Sequence, residues 1–221
     1  MLTIIIGNKA YSSWSMRGWL AVKLSGLPHA ETLLPMWTPE WDAARATGPL
    51  ALSGKVPTLI DGDTVVWDSL AIVDHLAERA GADRFWPTDP AARALARSIA
   101  AEMHSGYMDL RRHCTMNVRR TYPAAPLPAP VQANIDRIVR LWTEARTRFG
   151  ADSDYLFGAY GAADLMFAPV ATRFRTYAIP VPPVADAYVT ALLAHPDVAD
   201  WLDAAQAEPW VVDKYETGPA E

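Results

Sequence analysis

The residues that could do chemistry fall in three short stretches of the first seventy. The first is Tyr11-Ser12-Ser13-Trp14-Ser15-Met16-Arg17, a run of hydroxyls at the front of an apolar-periodic segment. Serines there belong at a helix N-cap, where a side-chain oxygen satisfies a free N–H of the first turn. The second is Lys55-Val56-Pro57-Thr58-Leu59. It enters a strand, and proline in a strand is confined to an edge because it brings no N–H to the ladder. At such an edge, with a cis bond as one option for Val56–Pro57, the backbone of Val56 is free to pair with something other than a neighbouring strand. The third is Asp68-Ser69, which opens another apolar-periodic helix. An exposed strand edge beside a helix N-terminus can hold an extended, peptide-like ligand by its backbone and its carboxylate. The same residues also fit an edge proline in a hairpin followed by a plainly capped helix.

The elements that must position these stretches follow from periodicity. Residues 2–6 are continuously apolar and stop at Gly7-Asn8, as a strand buried on both faces does. Met16, Trp19, Leu20, Leu24 and Leu27 share one face of a helix that stops near Gly26, with Pro28 beyond. A second strand is expected over 29–34. A short helix follows, with Thr38 as cap and Pro39 at its first position. After a loop over 48–54, the Val56 strand turns at Asp61-Gly62-Asp63 and returns over 64–67. Leu70, Val73, Leu76, Ala77 and Ala80 face inward on the helix after Ser69, which ends at Gly81. Residues 1–81 thus read as strand-helix-strand-helix-strand-strand-helix, a four-stranded mixed sheet with helices on its faces.

The character then changes. Residues 82–90 read as a linker carrying two prolines and two aspartates. Asp89-Pro90 opens one long helix through Leu95, Ile99, Met103, Tyr107, Leu110 and Cys114. Four prolines between Tyr122 and Pro130 forbid helix there. Helices resume from Val131 to Phe149, from near Gly161, and in shorter pieces beyond, so residues 91–215 form an all-helical domain.

Composition sets the class. With 51% hydrophobic residues in 221, the chain can build a full core. A net charge of −5 argues against a nucleic-acid surface, which needs a basic face. The single cysteine, Cys114, permits no internal disulfide, and the five histidines show no metal-ligand spacing. No run approaches a membrane span, and the N-terminus lacks the basic and apolar regions of a signal peptide. A cytoplasmic protein that binds neither membrane nor metal is expected. Residues 48–55 carry one residue too many between the glycines for a phosphate-binding loop, and no Cys-x-x-Cys exists for disulfide exchange.

The order of elements, with Val-Pro-Thr-Leu and an acidic-Ser pair at these spacings, resembles the cytosolic glutathione transferase superfamily over residues 2–210. Ser12-Ser13-Trp14-Ser15-Met16-Arg17 is similar to the Ser-Ser-Cys-Ser-Trp-Arg run of the zeta class, although Trp14 stands in place of Cys and Met16 in place of Trp. Gly161-Ala162-Ala163-Asp164 with Ala168-Pro169 is similar to that family's capping box, with Gly161 where Ser or Thr is usual. The resemblance implies a thioredoxin-like α/β N-terminal domain, an all-α helical-bundle C-terminal domain, and a homodimer.

It also implies roles. Glutathione would be the co-substrate, with a small electrophile as acceptor. Ser12 would be the hydroxyl that stabilises the thiolate, with Ser13 as second choice and Tyr11 as third. Val56 would pair with the cysteinyl unit at an edge shaped by Pro57. Asp68 would accept the ligand's ammonium, and Ser69 would hold its γ-glutamyl carboxylate. Lys55 and Arg45 are the candidates for the glycyl carboxylate. Tyr11, Trp14, Arg17, Met103, His104, Tyr107, Met108 and Arg111 are candidates to line the acceptor pocket between the domains, with Asn117 a further polar group on the same long helix. A glutathione-dependent isomerase of the maleylacetoacetate type and a non-catalytic binding protein on the same fold are the alternatives. Asp164 is expected to fix a helix start rather than to catalyse.

Overall fold

The computed structural model describes residues 1–216 and Gly218. Its sheet has the order β2-β1-β3-β4, built from β1 (Leu2–Ile6), β2 (His29–Leu33), β3 (Thr58–Asp61) and β4 (Thr64–Trp67). β1 pairs in parallel with β2 and antiparallel with β3, and β3 and β4 form the hairpin. Ile4, Ile5 and Ile6 are buried, which explains the continuous apolar run in a strand with neighbours on both sides. Helix α1 (Ser13–Ser25) starts at the Ser12 cap and ends where Gly26 takes a left-handed conformation at φ 67°. Helix α2 (Pro39–Ala46) starts at Thr38, whose hydroxyl accepts the Trp41 N–H. Helix α3 (Ser69–Ala80) follows the hairpin, with Asp68 as its N-cap.

Residues 82–90 are not a bare linker. They hold the short helix α4 (Ala82–Phe85) and bury Phe85 and Trp86 in the core. The long helix expected from residue 90 to Cys114 is two helices, α5 (Pro90–Ser105) and α6 (Met108–His113). The break is at Gly106, whose missing side chain would lie 2.8 Å from the Glu102 carbonyl, and at Tyr107, which is left-handed at φ 61°. The apolar spacing runs on across the break, so periodicity alone does not reveal it.

Helices α7 (Ala129–Phe149), α8 (Ala162–Thr176), α9 (Pro183–Ala194) and α10 (Pro196–Gln206) complete the bundle. α8 is its axis, buried along almost its whole length, and it packs on α1 of the sheet domain as well as on α5. At its start the carboxylate of Asp164 accepts the N–H of Gly161 at 3.0 Å, the N–H of Leu156 at 3.1 Å and the hydroxyl of Tyr188 at 3.0 Å. Gly161 has no side chain to return a bond, so only the Asp164 half of the capping box forms.

One apolar core runs through both domains, from Ile4, Leu20 and Val73 to Ile99, Trp142 and Phe167. Polar staples add to it. Lys9 pairs with Glu31 at 2.8 Å and lies over the rings of Trp19 and Trp201. Glu208, beyond α10, accepts the backbone N–H groups of Lys9 and Ala10. The α1 end of the sheet domain is thereby fixed against the bundle. Among the described residues, no helix is long and apolar enough to cross a membrane, and no cluster of acidic, His and Cys side chains could hold a metal.

Candidate ligand-binding site

The cleft that carries the predicted residues lies where the start of α1, the loop before β3 and the start of α3 meet. It encloses about 470 Å³ and is lined by Ser12, Trp14, Lys55, Val56, Pro57, Asp68 and Ser69, together with Met36, Trp41, Gly54 and Trp67. That volume suits a small organic ligand or a tripeptide.

Each wall has a local cause. Ser12 is the N-cap of α1, and its Oγ accepts the Ser15 N–H at 3.2 Å. The same Oγ donates to Ser15 Oγ at 2.8 Å, and Ser15 Oγ accepts the Gly7 N–H at 2.9 Å. A chain of hydroxyls therefore ties the end of β1 to the cleft. Val56–Pro57 is a cis peptide bond. β3 begins only at Thr58, so Val56 precedes the ladder, and its N–H and C=O make no hydrogen bond among the described residues. Gly18 of α1 lets the Pro57 ring approach closely, since a Cβ there would lie 2.6 Å from Pro57 Cβ.

On the opposite wall Ser69 is 1% exposed and its Oγ has no hydrogen-bond partner among the described residues. It opens α3, where free N–H groups and the helix dipole favour an anion. Asp68 beside it has a left-handed backbone at φ 70°, and Oδ1 accepts the Leu70 N–H at 2.9 Å. Its carboxylate also receives His104 Nε2, at 2.7 Å to Oδ1 and 2.8 Å to Oδ2. Lys55 is exposed on the rim. Arg45 stacks on Trp41, 5.5 Å from the ring centre, beside Gly54.

Other candidates lie elsewhere. Ser13 is buried outside the cleft and offers its carbonyl to Arg17 Nη1 at 3.3 Å. Tyr11 stacks on Tyr215, and its hydroxyl donates to Glu216 at 2.5 Å while Arg119 donates to it. Burial, then the bond to Glu216, raises its phenol above the ordinary value, so it stays protonated. Asn117 belongs to the same network through Glu216 and the Tyr215 carbonyl. Tyr107 is buried and donates to Glu102 at 2.6 Å, and Met103 is core. Met108 is exposed at the start of α6. Cys114 is buried, and burial pushes its thiol up to about 11, which leaves it a poor nucleophile.

Trp14 connects the cleft to a group of cations. Arg17 and Arg111 lie over its ring at 5.2 and 4.9 Å, and His104 meets it edge-on at 5.3 Å. Arg17 is fully buried, donates to the Met166 carbonyl at 2.8 Å, and has one nitrogen without a partner among the described residues. Burial, then the charges of Arg111 and Arg173, push its guanidinium down from the ordinary value.

Met36, Trp41 and Trp67 are lining residues that sequence reasoning missed. They come from the loop before α2, from α2 and from the end of β4. No spacing in the sequence marks any of the three as lining a cleft.

Comparison with known proteins agrees with this architecture. A family model of the glutathione S-transferase N-terminal domain matches residues 11–79. Glutathione S-transferase GstB of Escherichia coli (strain K12) is 28% identical over 119 residues, 53% of this chain and 57% of that protein. The match thus spans little more than half of that relative. Among solved structures, the theta class glutathione S-transferase of Xanthomonas axonopodis pv. citri, with glutathione bound, is similar with a TM-score of 0.63 at 26% identity, over 93% of this chain and 99% of that one. A glutathione transferase homolog from Burkholderia, also with bound glutathione, gives 0.68 at 22%, over 94% and 99%. Glutathione S-transferase unclassified 2 from Bombyx mori gives 0.70 at 18%, over 100% and 99%. The chain has the two-domain glutathione transferase fold, a thioredoxin-like domain followed by a helical bundle.

Proposed function

We propose that the protein is a cytoplasmic glutathione S-transferase that lowers the pKa of the glutathione thiol and adds the thiolate to a small electrophile. The observation that carries the reading is the buried, unpartnered hydroxyl of Ser69 at the start of α3, beside the Asp68 carboxylate. An amino acid end, one carboxylate and one ammonium, matches that pair of groups in charge and position.

The rest of the ligand follows from the cleft. Val56 offers a free N–H and C=O to an extended peptide, which would add to the sheet edge as a strand. Lys55 on the rim and Arg45 beside Gly54 are the cations offered for the glycyl carboxylate. The cysteinyl sulfur then falls towards Ser12, the hydroxyl at the N-terminus of α1. A thiol of ordinary pKa near 8.5 is only a few per cent ionised at neutral pH. A hydroxyl donor and a helix N-terminus both favour the anion. The electrophile would approach from the bundle side, past Trp14 and Met108. We take residues 1–81 as the glutathione domain, 82–90 as the connection and 91–215 as the acceptor side, in a homodimer of the kind usual for the superfamily. The zeta-like reading of the serine run draws support from Ser12 at the α1 cap. The burial of Arg17, with its bonds to backbone carbonyls, makes it a support for Trp14 more than a contact to an acidic acceptor. With Trp14 in place of Cys, no feature favours the isomerase.

The test is calorimetric binding of glutathione. Wild type is expected to bind, and Ser69→Ala and Asp68→Ala each to weaken binding by about tenfold or more, the loss of one charge-assisted contact. A wild-type protein that does not bind glutathione overturns the reading. Binding without a shifted thiol pKa would make the protein a carrier.

A further inference from the structure

Arg17, Arg111 and Arg173 lie close enough together for their charges to act on one another, and none of them is paired with a carboxylate among the described residues. We propose that the acceptor side of the cleft selects electrophiles that carry a negative charge, a carboxylate above all, and that Arg111 is the specificity-determining residue that meets this charge. The inference rests on the glutathione reading of the cleft and names the class of its second substrate.

The argument begins with what the three guanidiniums bond. Arginine is seldom fully buried unless it is paired. Arg17 is 0% and Arg173 4% exposed. Arg17 donates to the carbonyls of Met166 and Ser13, and Arg173 to those of Cys114 and Pro169. Arg111 donates to the carbonyls of Gly106, Met103 and His104. Every one of these acceptors is backbone. Carbonyl dipoles satisfy N–H groups but carry no net charge, so three positive charges stay uncompensated at short range. Asp68 is the acidic group whose charge reaches Arg17, and its oxygens already take the Leu70 N–H and His104. Arg17 Nη2 has no partner at all among the described residues.

This positive wall adjoins the cleft through Trp14. Trp14 lines the cleft with Ser12, and Arg17 and Arg111 lie over its ring at 5.2 and 4.9 Å. Arg17 lies wholly inside the protein and acts through its field. Arg111 is partly exposed, and its Nη1 makes no hydrogen bond among the described residues. It stands on α6 three residues after the exposed Met108, hence on the same side of that helix. Trp14 thus offers an apolar face to the body of an acceptor, and Arg111 offers a charged donor at the edge of that face. A neutral acceptor gains the ring alone. An anionic one also gains the guanidinium, in surroundings where protein on one side weakens screening by water.

The test compares two glutathione conjugates that differ in the charge of one group, S-(4-carboxybenzyl)glutathione and S-(4-carbamoylbenzyl)glutathione, by calorimetry. Wild type is expected to bind the carboxylate about tenfold or more tightly than the carboxamide, the value of one charge-assisted hydrogen bond. The preference is expected to fall severalfold between about 0.02 M and about 0.5 M salt. Arg111→Gln is expected to bring the two affinities within about twofold of each other, and Arg111→Lys to keep part of the difference. Both conjugates are measured on the same preparation, so a variant that folds less completely still gives a valid ratio. Equal affinities in wild type overturn the proposal without any variant, and so does a preference that Arg111→Gln keeps in full. Failure of wild type to bind either conjugate overturns the glutathione reading, whereas equal binding of both leaves that reading standing and removes this inference alone.

Discussion

The hydroxyl of Ser12 lies 2.8 Å from that of Ser15, and Ser15 in turn holds the N–H of Gly7 at 2.9 Å. In this arrangement the Ser12 hydroxyl donates to Ser15. Hydroxyls rotate freely, so the pair can reverse: with Ser15 donating to Ser12, the Ser12 proton would be free for the thiol sulfur of the proposed ligand. On the proposed function Ser15 is a positioning residue for Ser12. Ser15→Ala should lower kcat/KM toward a generic electrophile by about tenfold, by weakening one hydrogen bond to the thiolate. It should also cost about 1–3 kcal/mol of stability, because the buried Gly7 N–H loses its acceptor. Steady-state kinetics beside urea unfolding check both, and a variant equal to wild type in the two would remove Ser15 from the account.

The approach of Pro57 to α1 depends on Gly18. A Cβ at that position would lie 2.6 Å from Pro57 Cβ and 2.7 Å from Pro57 Cγ, and a proline ring has no rotamer to yield with. Gly18→Ala should therefore displace the loop that carries Val56. The expected cost is about 1–3 kcal/mol from overpacking, with weaker glutathione binding as well. Thermal unfolding and calorimetry measure the two effects. Unchanged binding in a destabilised variant would show that the loop position does not matter to the ligand.

Asp164 couples folding to pH. Burial pushes its carboxyl up to about 6, against the opposing pull of the Leu156 and Gly161 N–H groups and the Tyr188 hydroxyl. The folded state therefore holds the proton more tightly than the unfolded chain, where a carboxyl has its ordinary value near 3.9. The contribution to stability is fully present below that ordinary value and is lost as pH rises through about 6. Urea unfolding between about pH 4 and 7 should show wild type losing up to about 3 kcal/mol relative to Asp164→Asn over that window. Parallel curves would contradict it. Asp164→Ala, which leaves two N–H groups without an acceptor, should fail in folding before it fails in chemistry.

How much of this was legible depends on how local each signal is. The four-stranded mixed sheet and the local geometry of the three stretches were readable because each is set within a few residues: an edge proline, an Asp-Ser pair at a helix start, serines at a cap. Tyr107 was misplaced in a continuous helix because apolar spacing survives the left-handed turn that breaks it. Asp68 and His104 are 36 residues apart and on different domains, so no spacing could pair them. Tyr11 reads as a cleft residue beside Ser12, yet contacts more than 200 residues away along the chain, Glu216 above all, pull it to the other side. Arg17 has an unremarkable helical position, and its burial follows from the packing of α8 on α1.

The most direct test of the account is the ultraviolet absorbance of the glutathione thiolate in the complex, titrated against pH, for wild type and Ser12→Ala. The account predicts that the bound thiol titrates at least one unit below free glutathione in wild type, about 1.4 kcal/mol of selective stabilisation of the anion, and that Ser12→Ala returns it to the free value. Glutathione bound with an unshifted thiol, or a shift that survives Ser12→Ala, would contradict it.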